Sequence, residues 1–206
     1  MAIRLHRGDL PNLNNYTGRE VAIDTETMGL DVRRDRLCVV QLSPGDGTAD
    51  IVQIAKGQRE APNLCKLLAD PTKTKIFHYA RFDIAALFHA FGTMTEPVFC
   101  TKIASRLTRT YTDRHGLKDL ARELVGVDLS KQQQSSDWAA ETLTPAQLEY
   151  AASDVLYLHD MMGVLLKRLE RDDRMAIAKA SFAYLPTRAK LDLLGWDEED
   201  IFSHSA

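Results

Sequence analysis

The spacing of the apolar residues changes part-way along the chain, and that change limits the folds open to it. Early on, the apolar runs are short and rich in Val, Ile and Leu. Residues 20–24 and 37–43 read as strands, and 3–5 as a shorter one. Pro44-Gly45-Asp46-Gly47 marks a turn before a fourth strand at 49–53, which predicts an antiparallel hairpin. Helical spacing then takes over. Residues 63–69 predict a short helix stopped by Asp70-Pro71, and 75–78 a short strand. Ile84, Leu87, Phe88 and Phe91 share one face of a helix over 80–91, which Gly92 ends. Two more helices are predicted at 101–109 and 117–125. Thr144 as cap, Pro145 at the first position and Gln147 as the capping-box partner open a long helix running to about residue 170. A further helical region covers 175–194. Strands, one βαβ-like step and then many helices predict an α/β fold, a mixed sheet flanked by helices, with no second domain.

Composition sets the class. A chain of 206 residues, 45% apolar and 27% charged, can bury a sizeable core. No apolar run approaches the roughly 18 residues that mark a membrane helix, so no membrane partner is expected. Arg4, His6, Arg7 and Asp9 leave no signal-peptide core in the first ten residues, and a cytoplasmic location is expected. Cys38, Cys65 and Cys100 are odd in number and lack zinc-ligand spacing, so they are expected as core thiols. A net charge of −3 speaks against a protein that coats long nucleic acid, but not against a cleft with local positive charge. Walker-type loops, G-x-G-x-x-G fingerprints and G-x-S-x-G elbows are absent from the sequence.

Three short patterns carry chemistry. Asp24-Thr25-Glu26 follows the apolar run Val21-Ala22-Ile23. On a strand, residues two apart face the same way, so both acids can converge. Asp83 follows the apolar pair Ile76-Phe77, and Tyr150 and Asp154 stand four apart in helical sequence, hence on one face. Each has a plainer reading as well. An acid pair suits a solvent-exposed strand end, an acid early in a helix suits the dipole, and a tyrosine at helical spacing fills cores. Taken together they suggest a two-metal site, because hard divalent cations take carboxylate oxygens and two of them can clamp a phosphoryl transfer.

In order and type these patterns resemble the DEDD superfamily of 3′–5′ exonucleases, in the subgroup whose last motif contains tyrosine. Asp24-Thr25-Glu26-Thr27-Met28-Gly29-Leu30 resembles the first motif, His78-Tyr79-Ala80-Arg81-Phe82-Asp83 the second, and Tyr150 to Asp154 the third. Ser136-Asp137-Trp138, Leu143 and Gln147 are similar to ribonuclease D. The stretch Lys131-Gln132-Gln133-Gln134-Ser135-Ser136-Asp137-Trp138 and the ending Leu191-Asp192-Leu193-Leu194-Gly195-Trp196 resemble the nanoRNase C family, with no room for the helical RNA-binding domains of ribonuclease D. The resemblance implies a ribonuclease H-like fold over residues 1–206 and hydrolysis of very short single-stranded RNAs, down to dinucleotides. It also implies two Mg²⁺ or Mn²⁺ ions and a ring-shaped homo-oligomer, an octamer.

Carried over residue by residue, Asp24 would bridge both metals, with Glu26 and Asp154 completing the nucleophile-side ion. Asp83 would hold the second ion through water. Tyr150 would orient or help deprotonate the attacking water, with orientation favoured because a phenol with a pKa near 10 is a poor free base. Leu30 resembles the apolar wedge between the last two bases, with ordinary loop packing as the alternative. Thr27, His78, Arg81 and Trp138 are further candidates for substrate contact, with packing under the second motif as the alternative for His78 and a core position for Trp138. Arg81, Lys102, Arg106 and Arg109 are candidates for phosphates, with a solvated helix face as the alternative. Two other functions stay open: an exonuclease on single-stranded DNA or structured RNA, and a catalytically dead exonuclease-like fold that binds RNA.

Overall fold

The computed structural model describes residues 2–130 and 132–204. Lys131, within one stretch that carries the resemblance, lies outside them. The strands are β1 (Ala2–Arg7), β2 (Glu20–Thr27), β3 (Leu37–Ser43), β4 (Thr48–Gln53), β5 (Thr74–Phe77) and β6 (Val98–Cys100). The helices are α1 (Pro62–Leu68), α2 (Ala80–Phe91), α3 (Thr101–Thr108), α4 (Leu117–Val125), α5 (Pro145–Leu156), α6 (Leu158–Arg171) and α7 (Met175–Leu194).

One sheet in the order β1-β4-β3-β2-β5-β6 joins all six strands. β3 pairs antiparallel with both β2 and β4, so the predicted hairpin is present. The β1–β4, β2–β5 and β5–β6 pairs are parallel, and β5-α2-β6 is the βαβ step. The sheet is therefore mixed, as expected. β3 is buried along its whole length, which explains its nearly unbroken apolar run. Leu64, Leu67 and Leu68 of α1, Ile84 and Leu87 of α2, and Leu165 and Leu169 of α6 are fully buried in the core. Each such side chain contributes roughly 1.5–3 kcal/mol.

Two expectations are corrected and one strand is added. β2 runs to Thr27 rather than stopping at Asp24, so the first acidic pattern lies inside a strand. β6 has only three residues behind Pro97, too short for any period to register. The long helix expected from Thr144 breaks at Tyr157, whose ψ of 0° departs from helical geometry. The break lets α5 pack on β1 to β4 while α6 turns to pack on α3, α4 and α7. The start of α5 is as expected: Thr144 and Gln147 exchange both capping-box hydrogen bonds. Cys38 and Cys100 are buried free thiols, and Cys65 is half-buried.

Candidate active site

The site begins where β5 runs out. β5 pairs with β2 through Ala22↔Ile76, so Asp24 and Glu26 lie beyond that last pair. α2 starts at Ala80, just after β5 ends, and carries Asp83 in its first turn. This is a crevice at the carboxyl ends of parallel strands, where α/β sheets commonly bind ligands. Tyr79, between the two elements, has φ of 69°, a left-handed conformation uncommon for a residue with a side chain. The Lys102 ammonium stands 4.3 Å from the centre of its ring.

On the other side stands α5. Its Asp154 meets the two acids of β2: ligand oxygens of Asp24, Glu26 and Asp154 all lie within 4.8 Å of one another. Three hard carboxylate oxygens at that spacing suit a divalent cation such as Mg²⁺ or Mn²⁺. Asp83 stands apart from this triplet. Thr25, pointing away from Asp24 and Glu26 by strand alternation, donates to Asp83 Oδ1 at 2.7 Å.

Crowded acids resist ionisation. Burial raises the pKa of Asp24, to about 7. Burial raises Glu26 too, and the charges of Asp24, Asp154 and Asp83 add to it. Asp83 and Asp154 are raised by burial and then by Asp24. Tyr150 goes the same way, through burial and then the charges of Asp154, Glu26 and Asp24, so its phenol keeps its proton. His78, pushed down to about 3 by burial and then by Lys102, stays neutral.

The remaining candidates divide. Leu30 is 88% exposed at the tip of the loop after β2, an apolar side chain free to touch a ligand. Its loop is tight: a Cβ on Gly29 would collide with Asp35 Oδ2, and Thr27 Oγ1 donates to the Gly29 carbonyl. His78 lines the pocket and pairs through Nδ1 with Thr101 Oγ1 at 2.9 Å. Trp138 does not present a face to the pocket. It is 3% exposed and packs on Tyr150 with ring centres 5.9 Å apart, so it supports the tyrosine from behind. Arg81 is already committed, forking onto both oxygens of Asp192 at 2.6 and 2.7 Å. Arg109 is buried and ion-paired with Glu123, which removes it from any phosphate. Lys102 lines the pocket, whereas Arg106 opens on a neighbouring hollow beside Tyr184 and Arg188. His115 is structural, its Nδ1 2.8 Å from Ser105 Oγ.

The 3′–5′ exonuclease family matches residues 10–170. The chain belongs to that family. It is similar over 100% of both chains to Brucella melitensis NrnC with bound Mg²⁺, at 67% identity and a TM-score of 0.97. NrnC bound to pGG gives 68% identity, the same TM-score and the same full coverage. Ribonuclease D of Granulibacter bethesdensis is 37% identical over 179 residues, 86% of this chain and 45% of that protein. The chain thus spans under half the length of that relative. The exonuclease is of the ribonuclease D-like DEDD type, near nanoRNase C, and as such a metal-dependent phosphodiester hydrolase.

In this exonuclease the pocket of about 310 Å³ also takes in Gln134, from the stretch that carried the family resemblance, and Gly116, Leu117, Lys118, Leu129 and Ser130, none of which the sequence singled out. These last five come from the segment after α3, and no period or motif ties that segment to β2. Two more missed residues touch the acids themselves: Thr25, described above, and Gln41, which donates to Asp24 Oδ2 at 2.7 Å. Gln41 carries a legible signal, a lone amide inside the apolar run of β3.

Proposed function

We propose that this exonuclease removes nucleotides from the 3′ end of short single-stranded RNAs, down to dinucleotides, as nucleoside 5′-monophosphates. The observation that carries this reading is the likeness, over all of both chains, to a protein solved with pGG bound. Residues 1–206 act as one exonuclease unit in this reading. Asp24, Glu26 and Asp154 would hold one divalent ion, Mg²⁺ or Mn²⁺. Asp24 would share a second with Asp83, which acts through water. Two cations there would neutralise the charge that builds on the phosphoryl oxygens. Tyr150, kept protonated, orients the attacking water through its hydroxyl rather than acting as a base. Thr25 fixes the Asp83 carboxylate. Leu30 separates the last two bases, while His78, Thr27 and Lys102 form walls around the terminal nucleotides.

Self-association into a ring-like homo-oligomer, an octamer, belongs to the same reading. Leu194, Trp196, Ile201 and Phe202 are exposed near the chain end and supply apolar interface material. Among the described residues no helix is long and apolar enough to cross a membrane. The three free cysteines suit a reducing compartment, in keeping with a cytoplasmic location.

Specificity constants for two-, five- and twenty-nucleotide RNAs and DNAs test the substrate, and light scattering tests the assembly. The expected result favours the RNA dinucleotide over the twenty-mer by about tenfold or more, roughly 1.4 kcal/mol. A monomer that prefers twenty-mers, or DNA, would contradict the reading.

Metal removal should leave a pH signature. All four carboxylates are raised in the folded chain, with Asp24 at about 7. The stabilisation from their retained protons is complete below the unfolded values near 4 and is lost as pH rises through the folded ones. The melting temperature in EDTA should therefore fall between pH 5 and 8, and saturating Mg²⁺ should reverse most of the fall. For a chain of this size each kcal/mol corresponds to about 2–4 °C. A metal-induced gain that does not grow with pH would speak against a carboxylate site.

A further inference from the structure

We propose that Gln41 is a positioning residue for the metal site, fixing the Asp24 carboxylate through its side-chain amide. Gln41 is wholly buried in the middle of β3, directly across the antiparallel ladder from Asp24. Its Nε2 donates to Asp24 Oδ2 at 2.7 Å. Its Oε1 is buried and, among the described residues, has no hydrogen-bond partner.

Packing does not explain such a residue. Val40 and Leu42 on either side are fully buried, and a methionine would fill a similar volume without an orphaned acceptor. Turning the amide over would set Oε1 against a carboxylate oxygen, so the chemistry of Asp24 dictates which end faces it. A neutral donor also suits the task. It anchors Oδ2 of Asp24 without adding charge, whereas a lysine or arginine would bring a positive charge that competes with a cation. Partners of this kind orient metal ligands, and their loss typically costs 10–100-fold in metal affinity or activity.

The inference rests on Asp24 being a metal ligand, and the test separates the two claims. Mg²⁺ and Mn²⁺ binding is measured by calorimetry on wild type, Gln41→Met, Gln41→Glu and Asp24→Asn, with melting temperatures in EDTA and steady-state kinetics beside it. Gln41→Met should weaken metal binding by about tenfold or more and lower kcat, with KM for RNA little changed. Its melting temperature in EDTA should stay close to wild type, because an unpartnered buried acceptor is lost while Asp24 Oδ2 loses its donor. Gln41→Glu keeps the shape but sets a carboxyl against Asp24, and it should bind metal differently from wild type even if Gln41→Met does not fold. Wild-type metal affinity in whichever of these variants folds overturns the Gln41 proposal. If Asp24→Asn weakens metal binding while the Gln41 variants do not, Gln41 alone is wrong. If Asp24→Asn binds metal as wild type does, both claims fall.

Discussion

Asp24→Asn should lower kcat by about a thousandfold or more, close to 4 kcal/mol of transition-state stabilisation. Asp24 is the acid whose charge raises all three of its neighbours, Glu26, Asp83 and Asp154. It is thus at the centre of the cluster, and the amide removes the negative charge that two cations would share. The fold should survive. The substitution relieves repulsion among buried acids, so the melting temperature in EDTA at pH 8 should match or exceed wild type. Rates and melting curves on the same preparation check both halves. A variant within tenfold of wild type in Mg²⁺ would remove Asp24 from the reaction.

Tyr150→Phe is expected to reduce kcat by about a hundredfold, or roughly 2.7 kcal/mol, with KM changed far less. Burial first, and then the carboxyls of Asp154, Glu26 and Asp24, hold the proton on the phenol, so its hydroxyl is available as a donor. The ring packs on Trp138, and phenylalanine preserves that contact. Loss of turnover at unchanged melting temperature therefore isolates the hydroxyl. Full activity combined with a lower melting temperature would make Tyr150 a packing residue.

The residues that were legible in advance are those whose spacing follows a local period. Asp24 and Glu26 converge because a strand repeats every two residues, and Tyr150 and Asp154 because a helix brings residues four apart together. Thr144, Pro145 and Gln147 marked the start of α5 by side-chain chemistry alone. What the sequence hid is set by tertiary packing. The break at Tyr157 exists because α5 and α6 cover different elements, which no property of Leu156-Tyr157-Leu158 announces. The pattern left Trp138 open between base stacking and the core, and packing on Tyr150 decides for the core, while Glu123 occupies Arg109, which the pattern had as a phosphate candidate or a solvated residue. Gln41 meets Asp24 only through the register between β2 and β3, and a strand pattern does not fix its partner's register.

The most direct test of a metal-dependent 3′–5′ hydrolase in this crevice is a time course on a 5′-labelled five-nucleotide RNA. Wild type and Asp24→Asn are run in parallel with Mg²⁺ and with EDTA. The expected result is a labelled ladder that shortens one nucleotide at a time, with unlabelled nucleoside 5′-monophosphates released, in wild type with Mg²⁺ only. Shortening in EDTA, equal shortening by Asp24→Asn, or early release of the labelled terminal nucleotide would contradict it.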